Sequence, residues 1–206
     1  MVSLPAAAEM LLLADAPLGD QVAGLERAVR ENRLAVAVLK RIQELDLPDW
    51  YLGAGAVAQT VWNQLHGLEP SHGVKDYDLV YFDPTDVSEA AERTVERRAT
   101  ERFADLDVRL DVTNEARVHL WYHERFGHSI PPYRSSEQAI STWPTTASSI
   151  GVRLEGARFV VCAPFGLHDL FAMIVRPNKA IIDKSVYDEK AQRWASRWPR
   201  LTIMPW

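Results

Sequence analysis

Cysteine is almost absent from this chain of 206 residues: Cys162 stands alone, so no internal disulfide can form, which suits a reducing compartment. It lies in the apolar run Phe159-Val160-Val161-Cys162-Ala163, where a small buried side chain is the simpler role than a nucleophile. No segment approaches the roughly 20 apolar residues of a membrane span. A leader peptide is not expected either: no Lys or Arg precedes Met10-Leu11-Leu12-Leu13-Ala14, and Glu9 interrupts that stretch. Excess positive charge is missing, the formal net charge being −5, which argues against bulk DNA binding because phosphate neutralisation needs clustered Lys and Arg. Repeats and low-complexity tracts are absent too. The expectation is a soluble cytoplasmic protein.

What is present is enough apolar material, 47 % of residues, for a substantial core. The spacing of apolar residues predicts one helix over 20–46 with Asp20 as its N-cap, stopped by Pro48. Trp50-Tyr51-Leu52 reads as a short strand, broken by Gly53-Ala54-Gly55 and followed by a helix over 57–65. Residues 76–82 read as a strand with Tyr77, Leu79 and Tyr81 on one face and Asp76, Asp78 and Val80 on the other. Residues 88–103 form a charged helix with a solvated face, 106–112 a strand, and 114–126 a helix closed by Pro131-Pro132. A hairpin is expected around Glu155-Gly156-Ala157, and helices over 166–174 and 181–198. Trp194, Trp198 and Trp206 form either an exposed patch or a packed tail. The chain reads as a single domain over 1–206, with 131–206 as a possible C-terminal appendage.

Three features carry chemistry together. The Gly53-Ala54-Gly55 turn precedes a helix, and glycine lets backbone approach a ligand while a helix N-terminus offers free N–H groups to phosphate. Alone, such a turn is equally a packing device. Asp76 and Asp78 alternate along a strand and so share a face, a pair of hard oxygen donors suited to Mg²⁺ on triphosphate oxygens; a solvated acidic strand start is the plain alternative. Lys75 beside them is read as a surface residue. Asp111 sits inside an apolar alternating strand, where a lone carboxylate is costly to bury unless it shares a metal or, with Asp107 and Arg109, lies on a solvent face. His119 and His123 have zinc-compatible spacing but no third ligand in the pattern.

The stretches Ala54-Gly55-Ala56, Val61-Trp62-Asn63, Lys75-Asp76-Tyr77-Asp78, Asn114 to Tyr122 and Ile140 to Ala147 together resemble a bacterial nucleotidyltransferase-like family, once filed as a domain of unknown function, of the DNA polymerase β-like nucleotidyltransferase superfamily. The resemblance covers roughly residues 20 to 200. It implies an α/β (α+β) nucleotidyltransferase fold: a small mixed twisted sheet flanked by helices. It implies transfer of a nucleoside monophosphate from a nucleoside triphosphate to an unknown hydroxyl acceptor (small molecule, protein or RNA end), with pyrophosphate leaving. Mg²⁺ or Mn²⁺ would sit on Asp76, Asp78 and Asp111, with Asp111 also the general base. Gly55 and Ala56 would hold triphosphate through backbone N–H groups. Ala56 departs from the Gly or Ser usual there, removing a hydroxyl contact to phosphate. Asn63, Trp143, Thr145 and Thr146 complete the implied nucleotide set. Arg117 is either a transition-state cation or a helix-surface residue, Asn114 a cap, and Trp143 a base-stacking ring or a packed anchor. Two other readings remain: a weak or inactive nucleotide-binding module, motivated by Ala56, and a D-x-D metal-dependent glycosyltransferase, which leaves the glycine turn and Asp111 unexplained.

Overall fold

The computed structural model describes residues 6–74 and 76–206; Lys75 lies outside them. In chain order the elements are α1 (Ala6–Leu12), α2 (Leu18–Glu31), α3 (Arg33–Gln43), β1 (Tyr51–Gly53), α4 (Ala54–Leu65), β2 (Asp76–Tyr81), α5 (Glu89–Arg102), β3 (Arg109–Asn114), α6 (Val118–Phe126), α7 (Ser136–Ile140), β4 (Gly151–Glu155), β5 (Arg158–Cys162), α8 (His168–Phe171), β6 (Ile174–Val175), α9 (Lys184–Arg197) and β7 (Thr202–Ile203).

The single helix expected over 20–46 is two helices. Asn32 divides them because its side chain accepts from the backbone N–H groups of Leu34 and Ala35 at 3.2 and 3.1 Å, capping α3. Its amide also donates to Thr60 Oγ1 at 2.9 Å, so the break is held by α4. Asp20 lies in the first turn of α2, which Pro17 precedes; there its charge faces the positive end of the helix dipole. The strand expected from Leu106 starts only at Arg109, since turns follow α5: Leu106 N–H donates to Phe103 O. The helix expected over 166–174 shrinks to α8, which ends before Met173 with its φ of 55°.

The main sheet has the order β3-β2-β1-β4-β5. β2 and β3 run parallel, and the other neighbours pair antiparallel. The hairpin joining β4 and β5 turns at Gly156, whose φ of 62° suits glycine. Alternation assigns each strand two unlike faces. Leu52, Tyr77, Leu79, Tyr81 and Val152 are buried in the main core with α2, α3, α4 and α9. Tyr51 and Val80 pack on the opposite face with Ile140 of α7 and Trp143. That second face also carries the carboxylates.

The C-terminal tryptophans form a packed tail. Trp62 of α4 meets Trp194 edge-on at 5.0 Å and Trp198 at 5.8 Å between ring centroids, and all three are buried. Trp206 lies against Tyr187 at 5.9 Å. This contact fastens α9 across the sheet end where the site lies. Among the described residues, no helix is long and apolar enough to cross a membrane.

Candidate functional site

The strand register brings the sequence motifs into one row. Gly53 of β1 pairs with Asp78 of β2, and Asp78 pairs with Asp111 of β3. Asp76, two residues before Asp78, shares its face and pairs with Arg109. Gly151 of β4 continues the row beyond Gly53. Side-by-side residues of neighbouring strands point the same way, so Asp78 and Asp111 project together above the sheet. Glycine at 53 leaves room for the Trp143 indole, whose Cη2 would stand 2.3 Å from a Cβ there. The indole thus lies over the sheet beside Asp78.

From Gly53 the chain turns through Ala54, at φ 49°, directly into α4. The first backbone N–H groups of that helix are without intrahelical partners, and that of Gly55 favours the charged form of the Asp78 carboxyl. A cavity of about 370 Å³ opens here, walled by Gly55, the three aspartates, Gln59, and one face of α9 carrying Lys190, Arg193 and Arg197. Gln59 Oε1 is buried without a partner among the described residues, an acceptor that a polar ligand would satisfy.

The electrostatics are those of a site waiting for positive charge. Burial pushes the Asp78 carboxyl up to about 6; Lys190 opposes this, while Asp111 and Asp76 add to it. Lys190 is itself lowered by burial, against the pull of Asp78. Its ammonium lies 4.9 Å from the Trp194 ring centre. Asp76 is exposed and faces Arg109 at 3.7 Å, and Asp111 is exposed on the edge strand. Among the described residues, no three His, Cys, Asp or Glu side chains close on one point as a metal cluster. The donors suit a hard cation in chemistry and in face, and their side chains stand apart until something draws them together.

Residues 40–203 match a family described as nucleotidyltransferase. The chain belongs to that family. A solved structure, described as "The NMR structure of the protein reveals a CCA-adding enzyme head domain", shares the fold at a TM-score of 0.74 and 26 % identity, over 89 % of this chain and 96 % of that one. None of the curated proteins matches the sequence. The protein is therefore a nucleotidyltransferase by family and fold, its general reaction is nucleotidyl transfer, and the glycosyltransferase reading gives way.

Not every residue expected at the site of this nucleotidyltransferase stands there. Asp76, Asp78, Asp111 and Gly55 line the cavity, with Ala56 in the first turn of α4 and its methyl in the core. Asn63 is elsewhere: fully buried, it donates to Pro70 O and His72 O at 3.0 and 2.8 Å and accepts from Trp198 Nε1 at 2.8 Å. Arg117 is buried in an ion pair with Glu92 and donates to Val87 O, so its charge is already matched. Thr145 is buried against Ser148 Oγ, and Thr146 donates to Asp169. Those four correct the expected nucleotide set, because their polar atoms are committed to the fold. Asn114 does cap the turn before α6, accepting from Ala116 N–H at 3.1 Å. Replacing Asn63 with alanine leaves the Trp198 indole N–H and two carbonyls unmatched, for an expected loss of about 2–4 kcal/mol. Chemical denaturation checks this, and nucleotide binding is expected to survive.

The sequence reading missed Lys190, Arg193, Arg197 and Glu115. The three cations recur at i, i+3 and i+7 of α9, one helix face, but the same pattern describes a solvated surface. Glu115, 4 % exposed, lines a second cavity of about 280 Å³ with Trp121, Tyr133 and Trp143. Burial first, then Asp78 and Glu92, push its carboxyl up to about 8, against the opposing effect of the Trp143 indole. A raised acid holds its proton in the folded state and loses it in the unfolded one, so stability from this group falls as pH rises from about 4.5 to 8. Glu115→Gln has no proton to lose. Its melting temperature relative to the parent is expected to climb across that window and level off above it, by at most about 5 kcal/mol in stability at 1.36 kcal/mol per pH unit.

Proposed function

We propose that the protein moves a nucleoside monophosphate from a nucleoside triphosphate to a hydroxyl acceptor, with a divalent cation held by Asp76, Asp78 and Asp111. The observation that carries this reading is the pairing of Asp78 with Asp111 in neighbouring strands, on one face and lining a cavity that Lys190, Arg193 and Arg197 also line. Mg²⁺ or Mn²⁺ held there supplies charge neutralisation on the triphosphate and lowers the proton affinity of the attacking hydroxyl.

The residues divide the remaining work. Backbone N–H groups at Gly55 and Ala56, at the head of α4, bind phosphate oxygens with the help of the helix dipole. Arg193 and Arg197 face the same cavity and bind the departing pyrophosphate, whose charge grows as the bond to the α-phosphorus breaks. Lys190 sits beside Asp78 and reaches the α-phosphoryl group as its charge develops. Asp111, exposed at the sheet edge, accepts the proton of the acceptor hydroxyl as its oxygen bonds to the α-phosphorus.

Thermal melting with each nucleoside triphosphate, with Mg²⁺, with Mn²⁺ and with neither, tests the reading. A native-state ligand stabilises by about 2.7 kcal/mol at a hundredfold excess over its Kd. A metal-dependent rise with a triphosphate is expected; its absence in folded protein overturns the reading. A second reading, nucleotide binding without turnover, has support in Ala56 and in the separation of the three carboxylates. It predicts the melting shift with no pyrophosphate released.

A further inference from the structure

We propose that the aromatic cavity beyond Asp78 receives the nucleobase of the donor triphosphate and that Glu115 reads its hydrogen-bonding edge. This rests on the nucleotidyl-transfer reading above. Asp78 and Lys190 line both cavities, so the two meet at the place where the α-phosphate would lie. They differ in character as the two ends of a nucleotide differ. One is walled by carboxylates, cations and a helix head; the other by Trp121, Tyr133, Trp143 and Phe126, flat apolar faces on which a base stacks. The indole of Trp143 is held over the sheet by the missing side chain of Gly53, placing a ring beside the boundary.

The donor base fits this cavity better than the acceptor does. An acceptor hydroxyl has to reach Asp111, which lines the polar cavity and not the aromatic one and is exposed on the edge strand. The acceptor therefore arrives from the open edge, and the aromatic cavity is left for the nucleoside. Glu115 is the buried carboxyl in its wall, and the Thr113 hydroxyl lies nearby on the same lining.

The surroundings of Glu115 also set what it can read. Apolar walls and the neighbouring charges of Asp78 and Glu92 favour its protonated form, which offers one donor beside one acceptor. The Watson–Crick edge of each of the four bases presents a donor next to an acceptor, guanine through N1–H and O6, and matches it.

Isothermal titration calorimetry in Mg²⁺ with ATP, CTP, UTP, GTP and inorganic tripolyphosphate tests this on the parent protein, Glu115→Gln and Glu115→Leu. At least one of the four nucleotides is expected to bind the parent tenfold or more tighter than tripolyphosphate. The glutamine variant, with a fixed donor and acceptor, keeps that preference. The leucine variant brings the nucleotide down to the tripolyphosphate level and leaves tripolyphosphate itself within twofold. Nucleotides no tighter than tripolyphosphate, or a preference over tripolyphosphate that survives in folded Glu115→Leu, overturn the inference while nucleotidyl transfer stands. The parent comparison needs no variant to fold. Folded parent protein that binds neither nucleotide nor tripolyphosphate overturns the transfer reading, and the base site with it.

Discussion

Asp78→Ala is expected to abolish metal-dependent triphosphate binding and to lower nucleotidyl transfer by about 10³-fold or more, some 4 kcal/mol at 1.36 kcal/mol per tenfold. The size follows from its position. Asp78 is the carboxylate at the centre of the row, between Gly53 and Asp111, and it borders both cavities. Its loss removes a hard-cation donor and leaves the Lys190 ammonium without its nearest counter-charge. The fold is not at risk, because the folded state keeps this carboxyl against the cost of burial. In metal-free buffer at neutral pH the variant is expected to melt at or above the parent temperature. The sign follows from linkage: a carboxyl raised to about 6 destabilises the folded state above that pH, and alanine removes the penalty. A variant that still shows the Mg²⁺-dependent melting rise would remove the metal site from the mechanism.

Asp111→Asn is expected to separate binding from chemistry. The substitution preserves size, and the residue is exposed on an edge strand, so stability changes little. Triphosphate binding is expected to remain within about threefold, supported by Asp76, Asp78 and the head of α4. Turnover is expected to fall by about 10²–10⁴-fold, the usual range for losing a positioned general base. Binding by calorimetry alongside pyrophosphate release gives both numbers from one preparation. Unchanged pyrophosphate release would show that Asp111 is not the base.

How much of this was legible in the sequence depends on which interactions are local. The alternation in Asp76-Tyr77-Asp78-Leu79 placed the two carboxylates on one face because strand periodicity is a property of neighbouring residues, and the buried Tyr77 and Leu79 against half-buried Asp78 follow it. The glycine turn was local too, but it is shorter than expected: α4 begins at Ala54 and not at Val57, so Gly55 lies inside its first turn. Asn32 was harder to read: its side chain caps α3 locally, but the contact that fixes it in place is with Thr60, 28 residues on. Asn63, Thr145, Thr146 and Arg117 were misplaced for a similar reason. Each is a polar residue in a family-like stretch, and nothing nearby in sequence reveals that its partner is Trp198, Ser148, Asp169 or Glu92. Lys190, Arg193 and Arg197 went unread because a cationic helix face looks the same whether it meets water or a cavity, and only the tryptophan contact between α4 and α9 turns it inward. The burial of Glu115 depends on a wall assembled from α6, Tyr133 and Trp143, elements that chain order keeps apart.

The ammonium of Lys190, resting over the Trp194 ring, has an optical consequence. Indole emission responds to a charge held against the ring, and this charge is the one that a phosphate group entering the cavity would draw away. Trp194 is packed edge-on to Trp62 and buried, so its ring is shielded from bulk solvent. The colour and intensity of tryptophan emission therefore serve as an intrinsic gauge of whether the cavity is occupied, with no dye attached.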